Sequence, residues 1–166
     1  YDGALYTDDR SYLIVMPAGK KTASFPPELK SISEYAFAYS SIVNLELPYG
    51  VSRIFENAFN NAKCKTITIP STVKSFRVDG QVLKQCNNLN EIYLNTFSMP
   101  FPDPNAFISA SQRKSVRLYV RPELKTKYEE QWPGFSFYNF GDERAYDISE
   151  GNIDYNITST ERVTIN

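Results

Sequence analysis

The chain has 166 residues, of which 42% are hydrophobic and 14% aromatic, a balance typical of one soluble folded domain with a substantial core. Its 18 basic and 19 acidic residues leave a net charge of −1, which argues against nucleic acid as a partner and against a polybasic membrane-binding surface. The sequence contains no histidine, and this excludes histidine-based catalytic triads and zinc-hydrolase sites.

Two consecutive segments are copies of each other at a constant offset of 22 residues. The stretch LKSISEYAFAYSSIVNLELP begins at Leu29, and the stretch VSRIFENAFNNAKCKTITIP begins at Val51. A third copy opens in register at Val73 and then slips by three residues, because an insertion lies around residues 77–81. The repeat is the main signal for the architecture.

Each copy has the same physical interpretation. Its Leu-x-Leu-Pro or Ile-x-Ile-Pro end alternates apolar and polar residues, which predicts a short half-buried strand that proline terminates. Its Ala-Phe pair is expected on a short helical or 3₁₀ turn, with the phenylalanine ring in the core. A unit of 22 residues cannot bury its own apolar face, so the copies must stack. The sequence therefore predicts an α/β repeat solenoid, a right-handed, leucine-rich-repeat-like stack of short parallel strands.

Aromatic residues and prolines dominate the region after the repeats. Residues 95–111 are expected to form a proline-stiffened loop that covers the end of the solenoid, with an aromatic binding loop as the alternative. The segment Lys125–Gln131 predicts a short helix, with Glu123 near its favourable positive end. Trp132, the only tryptophan, is expected to cap the core, and a carbohydrate platform is the alternative.

Residues 145–166 change in character. Alternating Ile153, Tyr155 and Ile157 are followed by a polar turn and a second alternating segment, which predicts a β-hairpin. This hairpin is either docked on the last coil or is the start of a further β module.

These motifs resemble the BspA-type leucine-rich repeats of surface proteins from Bacteroidetes and some protozoa. The opening DGALYTDDRSYLIVMPAGK is similar to the N-terminal hairpin of that family, and VRLYVRPELKTKYEEQWPGFSFYNF is similar to its closing unit. The resemblance implies one leucine-rich-repeat domain over residues 1–144, comprising a hairpin (1–17), repeats (18–95) and a capping unit (96–144). It also implies a location at the cell surface or in the secreted fraction, although no signal peptide opens this segment and no apolar run is long enough to cross a membrane.

The sequence contains no recognisable catalytic motif. The paired carboxylates Asp8-Asp9 are expected to stabilise a turn, and Glu129-Glu130 are expected to be solvated charges on a helix. No phosphate-binding glycine loop or nucleophile elbow is present, so no catalytic residue, cofactor or metal is predicted. Cys64 and Cys86 are expected to be buried core thiols, and their different positions in the repeat argue against a disulfide.

The outward-facing side of the strand ladder is the candidate binding surface. If Leu45 and Leu47 point inward, their neighbours point outward, and the same alternation exposes residues in the later strands. Tyrosine and arginine are common at interface hot spots. The candidate ligand-binding residues are Glu46, Thr68, Glu91, Tyr93, Arg117, Tyr119 and Arg121. The alternative is an ordinary solvated sheet face with cross-strand pairs such as Glu91 with Arg117.

The sequence therefore predicts a non-catalytic surface or secreted module that binds another macromolecule in adhesion. The expected partner is a host or matrix protein of unknown identity. The alternatives are a glycan-binding accessory module, which would use Trp132, Tyr138 and the loop from Phe97 to Phe107, or a structural spacer in a larger surface protein.

Overall fold

The computed structural model describes residues 1–76, 81–99 and 103–139. Over these residues the chain forms ten strands, one α-helix and two short 3₁₀ helices. The strands are β1 (Leu5–Tyr6), β2 (Tyr12–Val15), β3 (Ser31–Ile32), β4 (Asn44–Glu46), β5 (Arg53–Ile54), β6 (Thr66–Ile69), β7 (Ser75–Phe76), β8 (Glu91–Leu94), β9 (Arg117–Val120) and β10 (Ser136–Asn139). Helix α1 spans Pro122–Gln131, and the 3₁₀ helices span Pro104–Ala106 and Arg113–Ser115.

The strands form two five-stranded sheets, and all pairings except that of β1 with β2 are parallel. The first sheet has the order β1-β2-β3-β5-β7, and the second has the order β10-β9-β8-β6-β4. Each repeat thus gives one strand to each sheet. The sequence predicted only the ladder of the second sheet, because a two-residue strand such as Ser31–Ile32 is too short to show a period of two.

The strand register confirms the repeat. Leu45 lies opposite Ile67, and Ile32 lies opposite Ile54, so neighbouring strands are 22 residues apart in both sheets. Ile67 lies opposite Ile92, an offset of 25 residues, which confirms the predicted slip in the third copy. Residues 77–80 of the predicted insertion lie outside the described residues.

The phenylalanine of each Ala-Phe pair fills the core, as the sequence predicts. Phe37 and Phe59 are fully buried, and their rings stack with centroids 5.2 Å apart and an interplanar angle of 19°. Phe25 packs edge-on against Phe37 at 6.2 Å. One aromatic column therefore runs through successive repeats.

The segments around these phenylalanines are turns and not the short helices or 3₁₀ turns that the sequence predicted. Their backbone bonds to the next repeat, since Phe37 N–H donates to the carbonyl of Ala58 at 2.7 Å and Tyr39 N–H donates to that of Asn60 at 3.0 Å. Tyr39 has a left-handed backbone, with φ of 59°, which interrupts any helix. Alternate residues keep local i→i−3 bonds, such as that from Ala38 N–H to the carbonyl of Tyr35 at 2.9 Å. The predicted short helix is absent because the N–H groups between them bond to the next repeat, so no continuous run of helical bonds forms.

The N-terminal segment forms the hairpin implied by the family resemblance, with β1 antiparallel to β2. Asp9 stabilises its turn by accepting hydrogen bonds from the Thr7 hydroxyl at 2.6 Å and from the Ser11 backbone at 3.0 Å. These bonds, led by that from Thr7, lower the pKa of Asp9 to about 2. Asp9 therefore stabilises the turn of the hairpin, as predicted.

The capping segment continues the second sheet through β9, α1 and β10. The N-terminal turn of α1 contains Glu123, as expected. Trp132 is fully buried at its end, in edge contact with the ring of Tyr128 at 5.1 Å, which confirms that it caps the core. The predicted hairpin at 145–166 lies outside the described residues.

The left-handed turn positions generate a stability prediction. The counterpart of Tyr39 in the second repeat is Asn61, which has φ of 56° and is a residue type that tolerates this conformation. We expect Tyr39→Asn to raise the free energy of unfolding by roughly 1 kcal/mol in urea titrations. Tyr49→Asn is the matched control, because Tyr49 is similarly exposed but does not have a positive φ. Equal effects of the two substitutions would contradict the backbone explanation.

A second prediction concerns alkaline pH. Burial raises the pKa of Tyr128 from 10.0 to about 12. Between these values the unfolded chain loses the phenolic proton while the folded chain keeps it, so the free energy of unfolding falls as pH rises, by about 1.4 kcal/mol per pH unit for this group. Below pH 10 both states keep the phenolic proton, so the stabilising contribution of Tyr128 to the free energy of unfolding is fully present. In denaturant titrations from pH 9 to pH 12, the free energy of unfolding should decline less steeply for Tyr128→Phe than for the wild type. Parallel curves for the two proteins would contradict the prediction.

Candidate functional site

The outer face of the second sheet is built by strict alternation along its strands. The apolar residues at the centres of the strands, such as Leu45 and Ile67, point into the core. The residues on either side of them point outward, and the register aligns these into two rows that cross the sheet. One row contains Asn44, Thr66, Glu91, Arg117 and Ser136, and the other contains Glu46, Thr68, Tyr93, Tyr119 and Tyr138. We call these ten residues the outer face.

The outer face is polar and accessible at its β4–β6 end. Glu46 and Asn44 are exposed, and Thr66 and Thr68 are half-buried. The Thr66 hydroxyl donates to the Oδ1 atom of Asn44 at 3.0 Å, which connects the first two strands through their side chains.

A charged pair occupies the centre of the outer face. Arg117 Nη2 lies 2.6 Å from Glu91 Oε1, and the Tyr93 hydroxyl donates to Glu91 Oε2 at 2.6 Å. The side chains of Arg117 and Glu91 are 40% and 20% exposed. Glu91 is therefore fixed on both of its oxygens, while the arginine remains accessible to solvent. The cross-strand pair of Glu91 with Arg117, which the alternative of an ordinary solvated sheet face included, is thus present.

Three tyrosines form a continuous stack along the other row. The rings of Tyr93 and Tyr119 are 4.5 Å apart at an interplanar angle of 13°, and those of Tyr119 and Tyr138 are 5.3 Å apart at 29°. Tyr93 is only 4% exposed, and Tyr119 is completely buried. The sequence placed them on the correct side of the sheet but was wrong to expect exposure, because large rings one strand apart cover each other's faces.

Arg121 was also predicted to be exposed, and this is wrong. It is 5% exposed and binds Asn95 twice, with Nε donating to the backbone oxygen at 3.0 Å and Nη2 donating to Oδ1 at 3.1 Å. Its guanidinium carbon lies 3.7 Å from the ring centroid of Phe97. Arg121 therefore fixes the junction of β9 with α1, a role that strand alternation cannot reveal.

Six of the seven candidate residues thus share the outer face, and Arg121 lies beside it. Sequence reasoning did not place Tyr138 in this row, since β10 is not a copy of the repeat. The alternation in Ser136–Asn139 beside β9 is the signal that could have found it.

The residues of the alternative glycan site differ in exposure. Trp132 and Phe107 are fully buried, so the alternative of a carbohydrate platform on Trp132 is wrong. Phe97 is 64% exposed, whereas residues 100–102 of the proline-rich loop lie outside the described residues. A shallow cleft of about 470 Å³ beside Trp132 is lined in part by Phe135 and Tyr138.

Other site classes find no support in the described part of the chain. Among the described residues, no three or more histidine, cysteine, aspartate or glutamate side chains are placed so that together they could hold a metal ion. No helix among residues 1–76, 81–99 and 103–139 is both long enough and apolar enough to span a membrane.

Comparison with known families gives one match. The family model described as "BspA type Leucine rich repeat region (6 copies)" matches residues 19–119. Comparisons with curated proteins and with solved structures find no match.

The tyrosine–carboxylate contact at the centre of the outer face generates a prediction. We expect Tyr93→Phe to lower the free energy of unfolding by about 1.5–3 kcal/mol, because the hydroxyl donates to a charged acceptor. Combining it with Glu91→Gln in a double-mutant cycle, followed by urea unfolding, measures the coupling. Strict additivity of the two substitutions would show that the contact contributes nothing.

Proposed function

The chain belongs to the BspA-type leucine-rich-repeat family, and on this premise we propose that it is a non-catalytic module that binds a partner protein through its outer face. Repeat modules of this kind generally serve protein interaction or adhesion. The finer proposal is an adhesive module at the cell surface or in secreted form, with a host or matrix protein as its partner. Its repeats would form a right-handed solenoid within one domain over residues 1–144.

The observation that carries the proposal is the placement of accessible polar groups on four neighbouring strands. Glu46 and Thr68 lie opposite each other in one row of the outer face, and Glu91 and Arg117 lie opposite each other in the other row, on the next two strands. Parallel strands are about 4.8 Å apart, so these groups form an array with fixed spacing. An extended surface of this kind suits a large partner better than a small enclosed ligand.

The buried tyrosines have a different role in this proposal. Tyr93 and Tyr119 are too enclosed to contact a partner, but their stack and the bond from Tyr93 to Glu91 hold the charged pair rigid. A preorganised charge loses little side-chain entropy on binding, which favours affinity. The proposed contacts are therefore Glu46, Thr68, Glu91 and Arg117.

The test compares two charge reversals within the first repeat. Glu46→Lys changes the outer face, and Glu34→Lys changes an equally solvent-facing residue on the turn side of the same repeat. Binding to immobilised collagen, laminin and fibronectin is measured by surface plasmon resonance. We expect Glu46→Lys to weaken binding at least about tenfold, because a repulsive charge faces the partner, and Glu34→Lys to leave binding unchanged.

Two results would count against the proposal. Equal effects of Glu46→Lys and Glu34→Lys would show that the outer face is not the contact surface. Absence of binding to every protein in the panel would argue against adhesion to matrix and favour the spacer role. Thermal unfolding of both variants serves as the control for folding.

A further inference from the structure

The two cysteines of the chain are buried together between the second and third repeats. Cys64 and Cys86 are each 1% exposed, and both are free thiols. Cys86 Sγ lies 2.9 Å from the backbone oxygen of Phe59, so the side chain reaches across into the second repeat. There its thiol is close enough to that of Cys64 for the two groups to interact.

The shifted register of the third repeat explains this proximity. Asn61 N–H donates to the carbonyl of Lys84 at 3.0 Å, which sets the turn containing Cys86 alongside the turn that leads into Cys64. The sequence argued against a disulfide because the two cysteines occupy different positions in the repeat, and both are free thiols in the structure. Their side chains nevertheless approach each other, because Cys86 reaches diagonally into the second repeat.

We propose that Cys64 and Cys86 are an oxidative modification site, at which an internal disulfide links the second repeat to the third. With oxidised glutathione, the thiolate of one cysteine attacks one sulfur of the glutathione disulfide, and one glutathione thiolate leaves and takes up a proton. The thiolate of the other cysteine then attacks the protein sulfur of the mixed disulfide and releases the second glutathione. Two protein thiols are oxidised, and one glutathione disulfide is reduced to two thiols.

The two thiols also influence each other electrostatically. Their interaction lowers the pKa of Cys64 and, followed by burial, raises the pKa of Cys86. Such mutual shifts are expected of two thiols that lie close together.

The link would reinforce the least regular junction of the stack. The strand offset changes from 22 residues between β4 and β6 to 25 residues between β6 and β8. A disulfide would close a loop containing the 21 residues between the two cysteines and so reduce the conformational entropy of the unfolded chain. Oxidation should therefore raise the melting temperature of the folded protein.

The test uses the full chain equilibrated in glutathione buffers of graded composition, both folded and in urea. Alkylation of remaining thiols followed by peptide mass mapping gives the fraction that carries the internal disulfide. The effective concentration of the thiol pair should be at least about tenfold higher in the folded protein than in urea, because the fold holds the two side chains close together. A folded value equal to or below the value in urea would overturn the proposal, as would glutathione adducts or intermolecular dimers in place of the internal link.

The repeat supplies matched control variants. Cys86→Ala introduces the residue that the second repeat carries as Ala62, and Cys64→Ile introduces the residue that the first repeat carries as Ile42. Each variant retains one thiol and should melt at the same temperature in oxidising and reducing buffers, whereas the wild type should melt higher in the oxidising buffer. A lower melting temperature for the oxidised wild type, or an equal rise in the variants, would also overturn the proposal.

Discussion

Backbone hydrogen bonds from one repeat to the next are the constraint on which the structure depends. Phe55 N–H donates to the carbonyl of Ile32 at 3.0 Å, and Leu47 N–H donates to that of Thr68 at 3.1 Å. A single repeat has no internal partner for these groups, so it is stable only beside a neighbour. Because the pairing fixes the register, each side chain lies next to its counterpart in the adjoining repeat. Equivalent residues are therefore aligned both in the core and on the outer face.

The sequence could predict what the period of the repeat determines, together with local features such as the turn at Asp9 and the buried position of Trp132. It placed Leu45 and Ile67 in the core, because an offset repeated over many positions leaves one consistent alternation. It could not predict the burial of Tyr119, which depends on the ring stacked on it from Tyr93. It also missed the proximity of the two thiols, because Cys86 reaches diagonally into the second repeat, and an alignment of equivalent positions does not show such a diagonal approach.

The outer face combines two properties with a common origin. Aligned strands bring Glu91 and Arg117 within 2.6 Å of each other, and the same alignment stacks the tyrosines that hold Glu91 in place. The proposed binding surface and its rigid support are thus consequences of one register. A stack of this kind also tolerates change at the surface, because residues such as Glu46 contribute little to the core.

The in-register stacking of repeats is the central claim, and interstrand nuclear Overhauser effects test it most directly. In the folded protein, backbone contacts should connect Leu45 with Ile67 and Ile67 with Ile92, in the pattern of parallel strands. These contacts would show that the outer face forms the aligned rows described above. Contacts displaced by one residue, or an antiparallel pattern between these segments, would contradict the account, because such a slip reverses which side chains face outward.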